Sequence, residues 1–454
     1  MKLKKNRTNK AVKDNSQKAR KIEYLFDSHV AHKFRDNFID KLRARSHKIR
    51  ENAVINGKNG VDSSGILEST MLDNKYIFTR VLDVIETDDI RLDLMMAVSA
   101  DGRRGIPRGK VIELSGREEC MKSARALQWI ASAQRDPRGC IVLYMDTESK
   151  LHPDYASLNG VDLSRVSVEF PAYVEAAYWS MEDILSGYIK NRDAAIYNYI
   201  KKKNKKGNLS ATELDYLIYR GRLSYPTIII VYDSVGNHQS MLAWQKDQKT
   251  GKKTKTPGAH AAAHADGFRS IKNIIGYSMA TIILINHTKE DMGGAGKWGV
   301  KKTKTYGGGG VLYNSDFRLE QKPGFGDANS GFLKHKKGDA EIIDGKWLTV
   351  KLLKNSMAPT SNMKIEKELF RYAVGFDMGA SYLLALDEMK LVKGGASLKV
   401  GKKNTVKLPW GGEISVTFKE LHKMLATDDA FKIRLRKAIV DNANANSIFM
   451  KNDV

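Results

Sequence analysis

Short apolar runs alternate with longer stretches of helical periodicity from about residue 80 to residue 325. Runs rich in β-branched residues predict strands, and apolar residues spaced three and four positions apart predict helices. The predicted strands are Lys110–Leu114, Cys140–Met145, Thr227–Tyr232, Ala280–Ile285 and Phe317–Leu319, and the predicted helices are Ser123–Gln134, Met181–Ile200 and Asp266–Tyr277. Several of the strands are apolar throughout, which is typical of a parallel sheet covered by helices on both faces. The pattern therefore predicts one central α/β domain.

The N-terminal part of the chain has a different pattern. Residues 1–18 are basic and polar with hardly a large apolar group, which predicts a mobile arm. From Lys21 to Ala53 a basic amphipathic helix is predicted by apolar residues at helical spacing, namely Leu25, Val30, Phe34, Phe38 and Leu42. Such a helix either places a solvated charged face over a core contact or docks on a neighbouring subunit or on DNA. The stretch Gly57–Gly65 is rich in Gly, Asn, Asp and Ser and predicts a linker.

The region from residue 340 to residue 425 predicts a mixture of α and β structure. Trp347–Leu353 has strand character, Tyr382–Met389 has helical periodicity, and LKVGKKNTVKLP from Leu398 to Pro409 predicts two strands joined by a turn. These patterns divide the chain into residues 1–56 (basic arm and amphipathic helix, for oligomerisation or DNA), 57–75 (linker), 76–335 (central core) and 336–454 (completion of the core sheet and an α+β region).

The chain is strongly basic, because 76 Lys and Arg oppose 52 Asp and Glu among 454 residues and leave a formal net charge of +24. The expected large partner is therefore a polyanion, either nucleic acid or an anionic membrane surface. The apolar runs are far shorter than the roughly 18 residues of a membrane span, and the two cysteines, Cys120 and Cys140, cannot form a disulfide framework in a chain of this size. These features favour a cytoplasmic protein over a membrane-embedded or secreted one.

Three lysine-dense polar tracts interrupt the central domain, at Lys201–Asn208, Lys246–Gly258 and Gly293–Gly310. An ordinary solvated loop would explain any one of them. The last two directly follow predicted strand ends, which is where open α/β sheets bind their ligands. We therefore expect these two tracts to form a DNA-facing surface.

The predicted strand that ends at Leu114 leads through a polar loop into a helix, which is the order required of a phosphate-binding loop. In such a loop the backbone N–H groups face the phosphates, Lys122 contacts the β- and γ-phosphates, and the Ser123 hydroxyl binds Mg²⁺. The candidate nucleotide-binding residues of the loop are Gly116, Arg117, Glu118, Glu119, Cys120, Met121, Lys122, Ser123 and Ala124. Met121 replaces the second glycine of the usual motif, so the spacing alone leaves a chance match open.

Polar residues stand at the ends of three further predicted strands. Asp146 and Glu148 follow the strand after the loop, where a carboxylate either orients the water that attacks a γ-phosphate or caps the strand. Asp233 ends a buried apolar strand, where an unpaired charge is costly and a position facing Mg²⁺ is favourable. Asn286 and His287 end the next strand and are placed to sense the γ-phosphate. Four strand ends with matching chemistry in the expected order predict a site for ATP and Mg²⁺.

The order of these motifs resembles the RecA recombinase family, and most closely the UvsX-type recombinases of phages. The resemblance is carried by TDDIRLDLMMAVSADGRRGIPRGKVIELSG before the phosphate loop, MDTESKLHPDYASLNGVDLSRV after it, and INHTKEDM followed by YGGGGVLYNSDFRLEQ. With VKLLKNSMAP and RYAVGFDMGASYLLALDEMKLVKGGA it covers roughly Thr87–Ala396 in unbroken order. It implies a RecA-like P-loop ATPase core with a twisted, mostly parallel sheet, a basic helical N-terminal extension and a small α+β C-terminal region.

The resemblance also implies roles for residues of the ATP site. Glu148 would activate water, Asp233 would be the Walker-B carboxylate that binds Mg²⁺ together with Ser123, and His287 would be the switch between nucleotide and DNA. UvsX-type loops resemble this one in having a bulky residue at the position of Met121, so the missing glycine is compatible with activity.

Three further residues are assigned only by the resemblance. Tyr155 would stack on adenine, and Tyr372 in the YAVG run would cover the nucleotide from an adjacent subunit. Lys354 would reach the γ-phosphate of a neighbouring subunit as a catalytic lysine. RecA-type sequences often have a second lysine two positions further on, where this chain has Ser356.

The resemblance assigns Gly236–Ala265 to a first DNA-binding loop and Thr288–Tyr306 to a second. Lysines in these loops would neutralise phosphates, Trp298 and Tyr306 would wedge or stack against bases, and the glycines after Tyr306 would let the second loop order or collapse. The candidate DNA-binding residues are Lys249, Lys252, Lys253, Lys255, Lys297, Trp298, Lys301, Lys302, Lys304, Gly307 and Gly308.

The leading functional hypothesis is an ATP-dependent DNA recombinase that forms helical filaments on single-stranded DNA and catalyses homologous pairing and strand exchange with duplex DNA. It implies a Mg²⁺-dependent, DNA-dependent ATPase, with an ssDNA-binding protein and a loading mediator as further partners. Two alternatives stay open at this stage. One is a RecA-fold helicase or another ring-shaped motor, and the other is a catalytically weak DNA-coating protein with a degenerate phosphate loop.

Overall fold

The computed structural model of the chain describes residues 30–41, 81–99, 101–203, 211–251, 258–295, 301–324, 332–337, 340–357, 363–393, 398 and 401–446. The arm predicted for residues 1–18 and the linker predicted for residues 57–75 lie outside these ranges. The helices of the described part are α1 (residues 30–41), α2 (Ile90–Met95), α3 (Lys122–Gln134), α4 (Pro153–Leu158), α5 (Val174–Lys203), α6 (Ala211–Ser224), α7 (Met241–Thr250), α8 (Ala259–Ser278), α9 (Gly308–Asn314), α10 (Met378–Glu388), α11 (Phe418–Thr427) and α12 (Asp429–Asn446).

The strands of the described part form a large central sheet and two small ones. They are β1 (Val84–Ile85), β2 (Ala97–Val98), β3 (Arg104–Pro107), β4 (Val111–Gly116), β5 (Cys140–Asp146), β6 (Val166–Glu169), β7 (Thr227–Asp233), β8 (Thr281–Ala295), β9 (Lys301–Thr305), β10 (Phe317–Pro323), β11 (Phe332–Lys337), β12 (Ala340–Asn355), β13 (Lys364–Arg371), β14 (Gly375–Phe376), β15 (Asn404–Lys407) and β16 (Glu413–Val416). The central sheet has the order β14-β13-β12-β10-β4-β8-β7-β5-β6, with β11 beside β12 and β9 beside β8. Neighbours from β10 to β6 are parallel, whereas β9 and β11–β14 pair antiparallel.

Strands β5 and β7 are almost entirely apolar up to the aspartate that ends each of them, because both faces of the sheet are covered. In β5, Val142 and Tyr144 join the core on the side of α3, while Ile141 and Leu143 join the core on the side of α5 and α8. Strands β7 and β8 divide their apolar side chains between the same two cores. Each core residue is therefore removed from water by a helix layer, which is the arrangement the sequence pattern predicted. The α/β fold class and its mostly parallel centre are confirmed.

The helix α1 packs on the core of its own chain. Phe34 and Phe38 contact the Tyr188 ring edge to face at 5.6 Å between centroids, and Phe34 also lies 4.7 Å from Tyr225. Val30, on the same helix, is 42% exposed. These contacts favour the interpretation of a charged face over a core contact for residues 30–41, while Leu25 and Leu42 lie outside the described residues.

A helical hairpin extends away from the sheet edge at which β4, β5, β7 and β8 end. The N–H of Val174 at the start of α5 donates to the carbonyl of Gln239 at this edge, and α5 then continues for 30 residues, or about 45 Å. The end of α6 leads into Thr227 at the opposite edge of the sheet. Lys201, Lys202 and Lys203 are exposed at the far end of α5. The first of the three lysine-dense tracts thus begins at the opposite end of the molecule from the other two.

The C-terminal part of the chain forms a separate apolar core around α10, α11 and α12. The side chain of Thr417 accepts from the N–H of Glu420 and the Glu420 carboxylate accepts from the N–H of Thr417, so a capping box starts α11. The sequence from Leu398 to Pro409 was predicted to form two strands that pair with each other. In the structure the second of them, β15, pairs instead with β16 across a turn. The turn uses Gly411 and Gly412 at φ +99° and +84°, which residues with a Cβ rarely adopt.

Among the described helices, none combines the length and the apolar composition that crossing a membrane requires.

Candidate nucleotide site and the roots of two loops

The carboxyl ends of four neighbouring parallel strands meet at one edge of the sheet, here called the rim. Gly116 at the end of β4 is in register with His287 of β8, and Asp233 at the end of β7 is in register with Asp146 of β5. Since β8 lies between β4 and β7, the phosphate-binding loop that follows β4 is beside both His287 and Asp233. The tertiary structure thus gathers the polar strand ends at a single place.

The loop from Gly116 to Lys122 adopts a backbone that glycine normally supplies. Glu119 and Met121 both have φ +58°, in the left-handed region that costs a residue with a Cβ about 1 kcal/mol. The Met121 side chain packs against a small apolar cluster that contains Phe370 and Phe376. The missing glycine is therefore compatible with the loop conformation, because apolar contacts of the methionine offset part of the backbone cost.

Lys122 and Ser123 open helix α3 at the loop. The Lys122 ammonium donates to the carbonyls of Gly116 at 3.1 Å and Arg117 at 2.6 Å. Burial lowers the pKa of Lys122, while the carboxylates of Asp233 and Glu148 oppose that shift. A desolvated ammonium that is held only by loop carbonyls and nearby carboxylates is suited to bind a phosphate anion.

Asp233 shares its carboxylate with two hydroxyl groups. Ser123 Oγ donates to Asp233 Oδ2 at 2.7 Å, and the buried Tyr144 hydroxyl donates to the same oxygen at 2.6 Å. Burial raises the pKa of Asp233, although these two hydrogen bonds lower it. A hydroxyl and a carboxylate side by side are oxygen ligands of the kind that Mg²⁺ prefers, so these residues fit the metal that accompanies a nucleotide.

Glu148 is held by three polar side chains from two segments. Ser234 Oγ and Asn237 Nδ2 each donate to Glu148 Oε1 at 2.5 Å, and Lys150 Nζ donates to Oε2 at 2.6 Å. Burial alone would raise the pKa of Glu148, but the hydrogen bonds from these three side chains lower it to about 2. The carboxylate is therefore ionised at neutral pH, as a group that accepts a proton from water must be.

His287 contacts Glu148 directly. Its Nε2 lies 3.3 Å from Glu148 Oε1. Because a carboxylate only accepts hydrogen bonds, this contact requires the proton on Nε2. The structure thus joins Glu148 to the strand end from which the second loop starts.

Asp146 and Asn286, the other two polar strand ends, have supporting contacts. Asp146 accepts from the N–H groups of Glu148 and Leu151, so it caps the turn that presents Glu148. Asn286 is fully buried and binds Glu113 and both backbone groups of Tyr306. The sequence hypothesis that Asn286 senses a γ-phosphate does not fit these contacts, which fasten the end of the second loop instead.

Tyr155 and Tyr372 lie together on the outer side of the loop. Burial, with Tyr372 nearby, raises the pKa of Tyr155, and burial, with the Glu119 carboxylate nearby, raises the pKa of Tyr372. Tyr155 also packs against the apolar cluster that contacts Met121. The resemblance assigns Tyr372 to the nucleotide of an adjacent subunit, and that assignment stays a prediction.

Lys354 lies away from the loop of its own chain. It pairs in register with Arg318 of β10, which pairs in turn with Glu113 of β4, three residues before Gly116, or about 10 Å below the rim. Its ammonium donates to the carbonyls of Leu312 and Tyr313 at the end of α9. Lys354 therefore cannot act on its own phosphate-binding loop. This position is compatible with a lysine that acts on a neighbouring subunit.

The predicted first loop, residues 236–265, contains two helices in the structure. Helix α7 carries the exposed Lys249 and ends at Gly251, and helix α8 begins at Ala259. The remaining candidate lysines of this loop, Lys252, Lys253 and Lys255, lie outside the described residues.

The predicted second loop forms a β-hairpin, in which Thr288 of β8 pairs with Thr305 of β9. Lys301 and Lys302 are part of β9, Lys304 is exposed, and Lys297 and Trp298 lie outside the described residues. The loop thus continues strand β8, which carries His287 at the candidate nucleotide site, so the position of the loop is tied to His287.

The glycines after Tyr306 allow close packing in this structure. Gly307 caps α9 at φ +83°, and the next three glycines form its first turn. A Cβ on Gly310 would lie 2.6 Å from the backbone N of Ala265, and one on Gly308 would lie 2.8 Å from the Ala261 side chain. The end of the second loop therefore packs tightly against the start of helix α8, within the predicted first loop. That these glycines let the second loop order or collapse with the nucleotide state stays a prediction.

Three histidines lie where the two loops meet. His260 Nε2 donates to the carbonyl of Val235 at 3.0 Å, and His264 Nε2 lies 3.2 Å from that nitrogen. His264 Nδ1 lies 3.0 Å from the Tyr178 hydroxyl, and His238 binds Tyr232. Burial lowers the pKa of His264 well below 6.5 and that of His238 to about 4. This cluster attaches the base of the first loop to the segment after Asp233.

The sequence patterns missed four contacts of the site. Ser234 and Asn237 directly follow Asp233, so their proximity to the strand end was a usable signal. Tyr144 was hidden in an apolar strand, and Lys346, whose ammonium lies 3.2 Å from Glu119 Oε2, belongs to a strand more than 200 residues away in sequence. No local pattern could have connected these last two to the loop.

Comparisons with known proteins agree with the motif order. Residues 68–191 match the family model described as the RecA N-terminal domain. The chain is 28% identical to protein RecA of Aquifex pyrophilus over 286 residues, which is 63% of this chain and 64% of that protein. It is 25% identical to RecA of Mycoplasma pneumoniae over 330 residues, 71% of this chain and 80% of that protein, and 22% identical to chromosomal RecA of Lactococcus lactis over 362 residues, 80% and 78%.

Proposed function

Because the chain belongs to the RecA family, we propose that it is an ATP-dependent DNA recombinase that forms filaments on single-stranded DNA and exchanges strands with homologous duplex DNA. The observation that carries the proposal is the gathering of Lys122, Ser123, Asp233, Glu148 and His287 at the rim. The same rim bears the two loops, so that ATP and DNA would bind to adjacent parts of one sheet.

The residues present fit ATP with Mg²⁺. The phosphates would lie on the N–H groups of the loop, with Lys122 exchanging its loop carbonyls for phosphate oxygens, and Ser123 and Asp233 would hold the metal. When bound, ATP with Mg²⁺ supplies the phosphoanhydride bond and a cation that neutralises phosphate charge. Tyr155, which packs against the cluster that contacts Met121, would stack on the base, and Tyr372 would cover the nucleotide of an adjacent subunit.

Glu148 would orient the attacking water. Its carboxylate is ionised and held by Ser234, Asn237 and Lys150, so its geometry is fixed before a substrate arrives. His287 would report the state of the site, since a change in the contact between Glu148 and His287 moves the start of the second loop. Nucleotide state and DNA affinity would thereby be linked through one hydrogen bond and one strand.

DNA would bind to the loops mainly through charge. Lysines that neutralise backbone phosphates give an affinity that depends little on sequence and falls with salt. The net charge of +24 and the exposed Lys249 and Lys304 support this mode.

Filament formation would bring Lys354 to the ATP of a neighbouring subunit. Tyr313, whose carbonyl Lys354 contacts, is 77% exposed and is the most exposed large hydrophobic residue of the described part. An apolar group of this size beside a lysine that cannot reach its own loop favours a contact with a second copy.

Strand exchange imaged by electron microscopy tests the proposal. The protein, single-stranded circles and homologous linear duplex are combined with ATP, with a non-hydrolysable ATP analogue or with neither. We expect filaments and joint molecules with both nucleotides, and neither product without nucleotide or with Lys122→Ala. Lys419→Ala, at an exposed lysine of α11, is the matched control. Closed rings without exchange would instead identify a motor, and coated DNA without ATP turnover would identify a DNA-coating protein.

A further inference from the structure

A buried lysine from the antiparallel half of the sheet contacts the phosphate-binding loop from outside. Lys346 of β12 is 6% exposed, and its Nζ lies 3.2 Å from Glu119 Oε2 and 3.4 Å from the Glu119 carbonyl oxygen. The Phe332 ring, from the neighbouring strand, lies 4.8 Å from the same ammonium. The lysine is therefore fixed between two strands and reaches the middle of the loop.

Such a position needs compensation, because taking an ammonium out of water is costly unless a carboxylate or hydrogen-bond acceptors replace the water. Here both acceptors belong to Glu119, and the aromatic face of Phe332 supplies a further attraction. The Glu119 side chain itself is 80% exposed. The lysine is thus buried while the side chain of its partner is exposed to solvent.

Glu119 is an unfavourable residue for a phosphate site in two respects. Its backbone has φ +58°, a conformation that a residue with a Cβ rarely adopts. Its carboxylate also lies in the loop between Gly116 and Lys122, where a negative charge repels the phosphates of a nucleotide. Lys346 counters both effects, since it fixes the loop backbone through the carbonyl and neutralises the carboxylate.

We propose that Lys346 is a positioning residue for nucleotide binding. It holds the phosphate-binding loop through Glu119 as a clamp and neutralises the negative charge of Glu119, which would otherwise repel the phosphates. The inference rests on the proposed binding of a nucleoside triphosphate to this loop. It explains how a loop with Glu119 and Met121 in left-handed conformations keeps the shape that glycines otherwise provide.

Binding of a fluorescent ATP analogue with Mg²⁺ to the full-length protein tests the clamp. We expect Lys346→Met to weaken binding about tenfold, the size of one charge-assisted hydrogen bond. Lys346→Arg should keep most of the affinity, because the guanidinium retains the charge. Lys351→Met, at a lysine further along the same strand, is the matched control and should bind as the wild type does.

The double variant Glu119→Gln with Lys346→Met separates the clamp from general support of the fold. With no carboxylate to neutralise, we expect it to recover the part of the affinity that Lys346→Met loses through the unpaired charge, and its binding should depend less on salt. Equal binding by Lys346→Met and the wild type overturns the clamp, as does a loss that Glu119→Gln leaves uncorrected. Failure of the wild type itself to bind the analogue overturns the proposed ATP site as well, so the two failures are distinguishable.

Discussion

The two halves of the rim are built differently. On the nucleotide side, direct contacts at 2.5 to 3.3 Å join Ser123 to Asp233 and join Glu148 to Ser234, Asn237 and His287. On the loop side, the candidate DNA-binding lysines that the structure describes, such as Lys249 and Lys304, lie exposed on a helix and a hairpin. The contrast indicates that the nucleotide side depends on the identity and position of each residue, whereas the loop side depends on the amount of charge near the rim.

The largest expected effect is on the nucleotide side. Glu148→Gln should leave ATP binding intact and slow hydrolysis by about 10²- to 10⁴-fold, because an amide cannot accept the proton of the attacking water. DNA-stimulated phosphate release and analogue binding, measured on the same protein, check both parts. Glu366→Gln, at an exposed carboxylate of β13, is the control. Wild-type turnover in Glu148→Gln would remove Glu148 from the mechanism.

A smaller and graded effect is expected on the loop side. Neutralising Lys252, Lys253, Lys301 and Lys302 together should weaken binding of single-stranded DNA and lower the slope of log affinity against log salt by about 0.7 for each phosphate left without a lysine. Fluorescence anisotropy at several salt concentrations measures the slope. Neutralising Lys201, Lys202 and Lys203, at the far end of α5, should leave the slope unchanged. If neutralising Lys201, Lys202 and Lys203 changed the slope and neutralising the loop lysines did not, DNA would bind at the helical hairpin.

The junction of the two loops should respond to pH. The pKa of His264 lies well below 6.5 and that of His238 is about 4, so the unfolded chain binds more protons than the folded chain below pH 6.5. This contribution to stability is complete above pH 6.5 and is lost as the pH falls towards the folded-state pKa values. His238 should reduce the free energy of unfolding by about 1.4 kcal/mol at pH 5.5, measured by urea unfolding, and His264 should reduce it further. His264→Gln should remove the contribution of His264 to this pH dependence. Equal slopes of unfolding free energy against pH in the variant and the wild type would contradict the assignment.

The smallest effect is expected at Met121. Met121→Gly relieves about 1 kcal/mol of backbone strain but removes a partly buried side chain worth a similar amount, so the free energy of unfolding should change by less than about 1 kcal/mol. Urea unfolding and analogue binding check this balance. A loss of more than about 3 kcal/mol would show that the side chain is essential to the core.

The sequence was most informative where the chemistry is local. The predicted strands that end before Ser115 and at Tyr232 match β4 and β7 within two residues, because uninterrupted apolar runs bounded by polar residues have few alternatives. The candidates Lys122, Ser123 and Asp233 also follow from position, since the last residue of a buried parallel strand and the start of the helix that follows a strand both lie at the rim. The partner of β15 was predicted wrongly, because pairing depends on the turn at Gly411 and Gly412 rather than on strand character.

What the sequence determined by itself was the identity of the strands, the order of the polar strand ends and the excess of positive charge. Tertiary structure alone decided that Lys354 lies below the rim, that glycines 308 and 310 serve close packing, and that Lys346 contacts Glu119. The physical reason is that local periodicity reports which faces of an element are buried, whereas the neighbours of a side chain are set by strand order and register, which join residues hundreds of positions apart.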